Sequence, residues 1–117
     1  MRDFTKYDIW NNGIDFVVEI YEQTQRWPDS EKFGLISQIR RAAVSIPSNF
    51  AEGCSRSSEK EFSRFLEVSL GSAFEVKTQL IIANRLKFLT PESYHKFVSG
   101  LDLISKQINA LRNKLKN

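Results

Sequence analysis

Cysteine, histidine, proline and glycine are all scarce in this chain, and each scarcity closes off a class of protein. A single cysteine, Cys54, cannot form an internal disulfide and has no second thiol with which to share a metal, which predicts a cytoplasmic chain. A single histidine, His95, leaves one imidazole for any Ser-His-Asp set or metal triad. Its neighbours Glu92, Ser93 and Lys96 read as ordinary helix surface. Glu52, Glu67 and Glu75 could face one another, but the Glu-x-x-His spacing of carboxylate-bridged metal bundles is missing. Gly71-Ser72 lies inside a helical pattern without the preceding strand that a phosphate loop needs. The expectation is therefore no enzyme, no catalytic residue, no metal and no cofactor.

Long apolar runs are missing too. None approaches the ~20 residues that span a bilayer, and the opening MRDFTKYDIW lacks the basic-then-apolar order of a secretory leader. No membrane association is expected. Strand signals are absent: the one Asn12-Gly13 dipeptide sits within a helical pattern and joins no alternating runs. With three prolines and five glycines against 26% charged and 41% hydrophobic residues, the composition is that of a folded, helix-permissive chain. A length of 117 residues fits one domain, residues 1–117, with one core.

What is present is helical periodicity in four segments, approximately 5–25, 31–52, 59–85 and 91–115. In the first, Trp10, Ile14, Val17, Tyr21 and Thr24 recur at steps of three and four as the expected core face, leaving Ile9, Phe16 and Ile20 outside it. Trp27-Pro28-Asp29-Ser30 ends that segment and caps the next. The second carries Ile36, Ile39, Ala43, Ile46 and Phe50 as its seam, with Gly53 placed as a left-handed closing residue. Ser58 and Glu61 form a capping-box signature for the third. One face there holds Phe62, Phe65, Leu66, Ser69, Ala73, Val76, Leu80 and Ala83, and a second stripe holds Leu70, Phe74 and Ile81. Thr90-Pro91-Glu92 opens the fourth, followed by Tyr94, Phe97, Leu101, Ile104, Ile108, Leu111 and Leu115.

Four amphipathic helices joined by short loops predict an all-α, antiparallel up-down-up-down four-helix bundle. A bundle helix needs one apolar face, so the extra stripe of the third helix, with Ile9, Phe16 and Ile20 of the first, is the expected interface between copies of the chain. A wide core stripe in a monomer is the alternative.

Charge is uneven along the chain. Residues 1–31 hold three cations against seven acids, net −4, and the remainder fourteen against seven, net +7. No acid follows Asp102, while Lys106, Arg112, Lys114 and Lys116 do. Two readings compete for that basic end: cations complementing the helix macrodipole, or a patch for an anionic partner such as RNA. On the second reading Arg40, Arg56, Arg64, Arg112, Lys114 and Lys116 are the candidate nucleic-acid or partner contacts. No zinc-finger, basic-zipper or helix-turn-helix pattern accompanies them.

The stretch Gln38 to Gly53, QIRRAAVSIPSNFAEG, is not explained by burial alone. Pro47 in a helix interior removes the N–H that would meet the Ala43 carbonyl, at roughly 3 kcal/mol. On the face opposite the seam, Arg41, Ser45, Asn49 and Glu52 are the expected hydrogen-bonded network at a helix or subunit junction. The alternative is a plain solvent face with a tolerated kink. This stretch, with Arg56, Phe65-Leu66, Gly71-Ser72, Glu75, the Phe33-Gly34-Leu35 entry and the Leu89-Thr90-Pro91 turn, resembles the four-helix-bundle proteins encoded in intervening sequences of 23S ribosomal RNA genes. A related branch looks like the accessory protein of diversity-generating retroelements, a basic pentameric barrel that associates with a reverse transcriptase and nucleic acid. The resemblance implies an antiparallel four-helix bundle, a homopentamer and a link to RNA or ribosomes. The modest net charge of +3 departs from the basic branch.

Overall fold

Short polar caps and turns, placed between amphipathic segments, cut the chain into four helices: α1 (Asp8–Thr24), α2 (Leu35–Cys54), α3 (Glu59–Arg85) and α4 (Pro91–Lys116). The structure, a computed structural model, describes residues 2–116, and the side chain of Lys116 lies outside the described residues. Consecutive helices run antiparallel and pack on one another, and α4 closes back on α1, giving the up-down-up-down bundle. The α2–α3 pair is the most intimate and α1–α4 the loosest. The long dimension, 44 Å, matches a 27-residue α3 at 1.5 Å per residue, about 40 Å.

The boundaries follow local chemistry. Residues Phe4–Lys6 form a 3-10 turn, not the first turn of α1, because Asp3 Oδ1 accepts from Thr5 N and Thr5 Oγ1 at 3.1 and 2.6 Å. Asp29–Glu31 is a second 3-10 turn, so α2 begins at Leu35 and not near residue 31. Ser58 Oγ accepts from Glu61 N at 3.1 Å and starts α3, and Thr90 Oγ1 accepts from Ser93 N at 3.2 Å in the first turn of α4. At the end of α3 the chain turns through Lys87 at φ 63°. Phe88 N reaches Ala83 O and Lys87 N reaches Asn84 O, both at 3.0 Å, a Schellman closure built on lysine where glycine is usual.

Two expectations about helix faces are corrected. Ile9, Phe16 and Ile20 are buried in the chain's own core, so they are not an interface between copies. Ile14 and Tyr21 of the expected core face are exposed instead. The true seam of α1 runs Ile9, Gly13, Phe16, Ile20, Thr24, and a glycine in its middle carries no hydrophobic signal. That glycine is there for space: a Cβ on Gly13 would lie 3.2 Å from the Cβ of Pro47. Gly53, likewise, is not a left-handed terminator but an ordinary helical residue of α2. Its Cβ would meet Phe65 Cβ at 2.7 Å and Phe62 Cδ1 at 3.1 Å, closer than packed carbons tolerate.

Phe50, Phe62, Ile20, Ile39, Ile46, Leu66, Leu80, Leu101, Ile104 and Ile108 are fully buried between the helices. Aromatic contacts seal both ends. Tyr7 and Phe62 meet Phe50 edge-on at one end, and Trp27 packs on Phe88 at 5.7 Å at the other.

Candidate interaction surfaces

Pro47 shapes the outer face of α2. Its missing N–H leaves the Ala43 carbonyl without its helical donor, and its ring is buried against Gly13 of α1. Hydroxyl and amide side chains next to the interruption bond backbone carbonyls. Ser45 Oγ donates to Arg41 O at 3.0 Å, Asn49 Nδ2 to Ser45 O at 2.8 Å, and the buried Ser69 Oγ of α3 to Ile46 O at 2.9 Å.

The expected network of Arg41, Ser45, Asn49 and Glu52 is therefore only partly assembled. All four share one stripe of α2, but no side chain among them bonds another. Ser45 and Asn49 turn back on the preceding helical turn, because a short polar side chain reaches the i−4 carbonyl more easily than its neighbour. Glu52 pairs with Arg56 at 3.0 Å, and the exposed Arg41 guanidinium has no partner among the described residues.

The candidate cations divide into committed and free. Arg40 Nε donates to Thr24 Oγ1 at 2.8 Å, its Nη2 to Tyr21 O at 3.3 Å, and its guanidinium lies over the Tyr21 ring at 4.5 Å. It caps the C-terminus of α1, where a cation complements the macrodipole. Arg112 is drawn to Glu67 of α3 at 3.0 Å, and Arg56 to Glu52 with its guanidinium 4.8 Å above the Phe65 ring. Arg64 and Lys114 are exposed and unpaired among the described residues. The expectation for Lys116 falls on a side chain outside the described residues.

Leu70 is half-buried, whereas Phe74 and Ile81 are 63% and 36% exposed. They flank Lys77, which pairs with Asp102 of α4 at 3.3 Å, so this stripe runs beside the α3–α4 seam. Sequence reasoning missed a second exposed apolar set, Val68 and Ile82 on α3 with Leu86 at its C-cap. Helical spacing could have found it, since the three recur at 14 and 4 residues. Gln79 was also missed: it is buried, with its Oε1 unpaired. An open cleft of about 260 Å³ lies in the α1–α4 seam, floored by Phe16, Phe97 and Ile104 and rimmed by Asp15, Glu19 and Lys96.

Titratable chemistry is limited. Burial pushes the Cys54 thiol above its ordinary value of 9.0, with Arg2 opposing and Asp3 reinforcing by smaller amounts, so the thiolate that would act as nucleophile is disfavoured. His95 is exposed, with its ring 5.6 Å from that of Tyr94. Among the described residues no group of three or more His, Cys, Asp or Glu could hold a metal ion, and no helix is long and apolar enough to cross a membrane.

Comparison with known proteins finds similarity at the level of both family and fold. A family model described as "23S rRNA-intervening sequence protein" matches residues 5–110. Among solved structures, the chain is similar to a protein of unknown function from the S23 ribosomal protein family of Bacteroides thetaiotaomicron, with a TM-score of 0.83 and 24% identity over 90% of this chain and 95% of that one. At that identity the likeness bears on the fold. No curated protein matches the chain.

Proposed function

The chain belongs to the 23S rRNA-intervening sequence protein family, and from that premise we propose that it is a non-enzymatic, homo-oligomeric scaffold of the cytoplasm that associates with ribosomal RNA or a nucleoprotein. Family membership is the observation that carries the RNA association. Assembly is supported by the exposed Phe74 and Ile81 beside Leu70 on α3, since apolar side chains of that size recurring along one stripe favour coverage by protein. In the assembled form the outer stripe of α2, with its free Arg41, meets a neighbouring copy. We propose a pentamer, the state that a resemblance to the accessory proteins of diversity-generating retroelements would imply. With Arg64 and Lys114 unpaired, phosphate contacts on RNA would be few and electrostatic.

One observation favours a second reading, a structural or protein-binding oligomer with no nucleic-acid role. Arg40, Arg56 and Arg112 already have partners within the chain, and that leaves little free charge. Light scattering with and without 23S rRNA fragments separates the two. A pentamer of 13.6 kDa copies gives about 68 kDa, and binding that weakens as salt rises supports the RNA reading. An oligomer that ignores RNA at low salt leaves the structural reading, and a strict monomer removes both.

A further inference from the structure

At the end of the bundle where α2 turns into α3, four residues line an open cleft of about 580 Å³: Arg2, Ser55, Arg56 and Ser57. No carboxylate is among them. We propose that this cleft binds a phosphate group, borne by RNA. The inference rests on the RNA reading above for the bearer of the phosphate, not for the site itself.

Both guanidiniums are positioned before any ligand arrives. Arg2 lies over the Phe62 ring at 4.1 Å and donates through Nη1 to the Arg56 carbonyl at 3.0 Å. Arg56 lies over the Phe65 ring at 4.8 Å and donates through Nη2 to Glu52 Oε1 at 3.0 Å. Phe62 and Phe65 are three residues apart on α3, so their side chains are neighbours on the helix surface. Each guanidinium is held by a ring and by one hydrogen bond, which occupies one of its five N–H donors. The side-chain ordering that binding normally costs is thus largely spent in the free protein.

One further feature points to an acceptor. The Ser57 hydroxyl is free among the described residues, whereas Ser55 Oγ already donates to Glu52 O at 2.6 Å. Glu52 shares the Arg56 guanidinium but does not line the cleft, and planar, forked donors suit the tetrahedral oxygens of phosphate better than a point charge would. A cleft of this size and openness does not enclose a small free anion. It leaves room for the sugar on either side of a phosphodiester, which favours phosphate carried on a larger molecule.

The test is a backbone and arginine-Nε NMR titration of the full chain with inorganic phosphate and, separately, with a short single-stranded RNA at low salt. Shifts concentrated at Arg2 and residues 55–57 are expected with both, tighter for RNA. Arg56→Ala weakens binding ~10-fold or more, as for other charge-assisted hydrogen bonds, and Arg56→Lys falls between. Ser57→Ala, at an exposed position, gives a smaller loss without risk to the fold. Arg64→Ala, outside the cleft, leaves the cleft shifts unchanged. RNA bound equally well by wild type and Arg56→Ala, or shifts scattered over the surface, would overturn the site while leaving the RNA reading intact. Phosphate shifts at the cleft with no RNA binding would instead overturn the RNA reading and keep the site.

Discussion

The α2–α3 pair and the α1–α4 pair are both antiparallel helix contacts in one bundle, yet they are held by different physics. Between α2 and α3 the backbones come close enough that Gly53 has no room for a methyl group, and the buried Ser69 bonds the Ile46 carbonyl across the interface. Between α1 and α4 a cleft of about 260 Å³ opens, bridged by Asn12 to Gln107 at 3.2 Å and by Lys96 to Glu19 at 3.2 Å. Lys96 is 72% exposed, and exposed pairs of this kind contribute little to stability. The first pair therefore holds the fold, and the second is the side with slack.

Substituting the same atom on the two sides should break the symmetry most clearly. Gly53→Ala places a Cβ 2.7 Å from the Cβ of Phe65, an atom that cannot swing away without moving α3. A loss of about 1–3 kcal/mol is expected from overpacking, read as a lowered midpoint in urea denaturation at unchanged m-value.

The tight side also holds the Cys54 thiol. Its folded pKa is raised above the unfolded value, so above about pH 9 the unfolded chain releases its proton first and stability falls as pH rises. The slope approaches about 1.4 kcal/mol per pH unit at most. Cys54→Ala should flatten that alkaline limb in a pH series of denaturation curves. An unchanged limb would assign it to other groups.

On the slack side the sign reverses. Gly100→Ala adds a Cβ whose nearest contact is Phe16 Cδ1 at 3.8 Å, an ordinary van der Waals distance. Removing glycine from a helix interior stabilises by about 0.5–1 kcal/mol, a small rise in melting temperature. A fall would mean that α1 and α4 are packed as closely as α2 and α3.

The same contrast accounts for what could be read from the residues alone. The bounds of α3 and the start of α4 were legible because Ser58 and Thr90 act locally, as helix caps do. The core faces of α2 and α4 were legible because their seams are apolar without interruption. The face of α1 was not, since its seam passes through Gly13, whose role depends on a ring 34 residues away. Gly53 misled for a related reason: a glycine at a helix end suggests backbone freedom, but here it answers to the girth of Phe62 and Phe65. The candidate cations were visible as residue types, but their commitments were not. Whether Arg40 is spent on a helix end depends on where Thr24 and Tyr21 lie in space.

Pro47 and Gly13 can finally be considered as a single joint. The proline ring protrudes from α2 at the point where the other helix presents no side chain, so the bulge of one and the notch of the other are complementary shapes. Filling the notch or shaving the bulge each harms the fit, and the two changes made together are not the sum of the parts. The free energy spent in interrupting α2 is in this way converted into registry: the joint sets how far α1 can slide along α2, and so fixes the axial alignment of the first hairpin of the bundle.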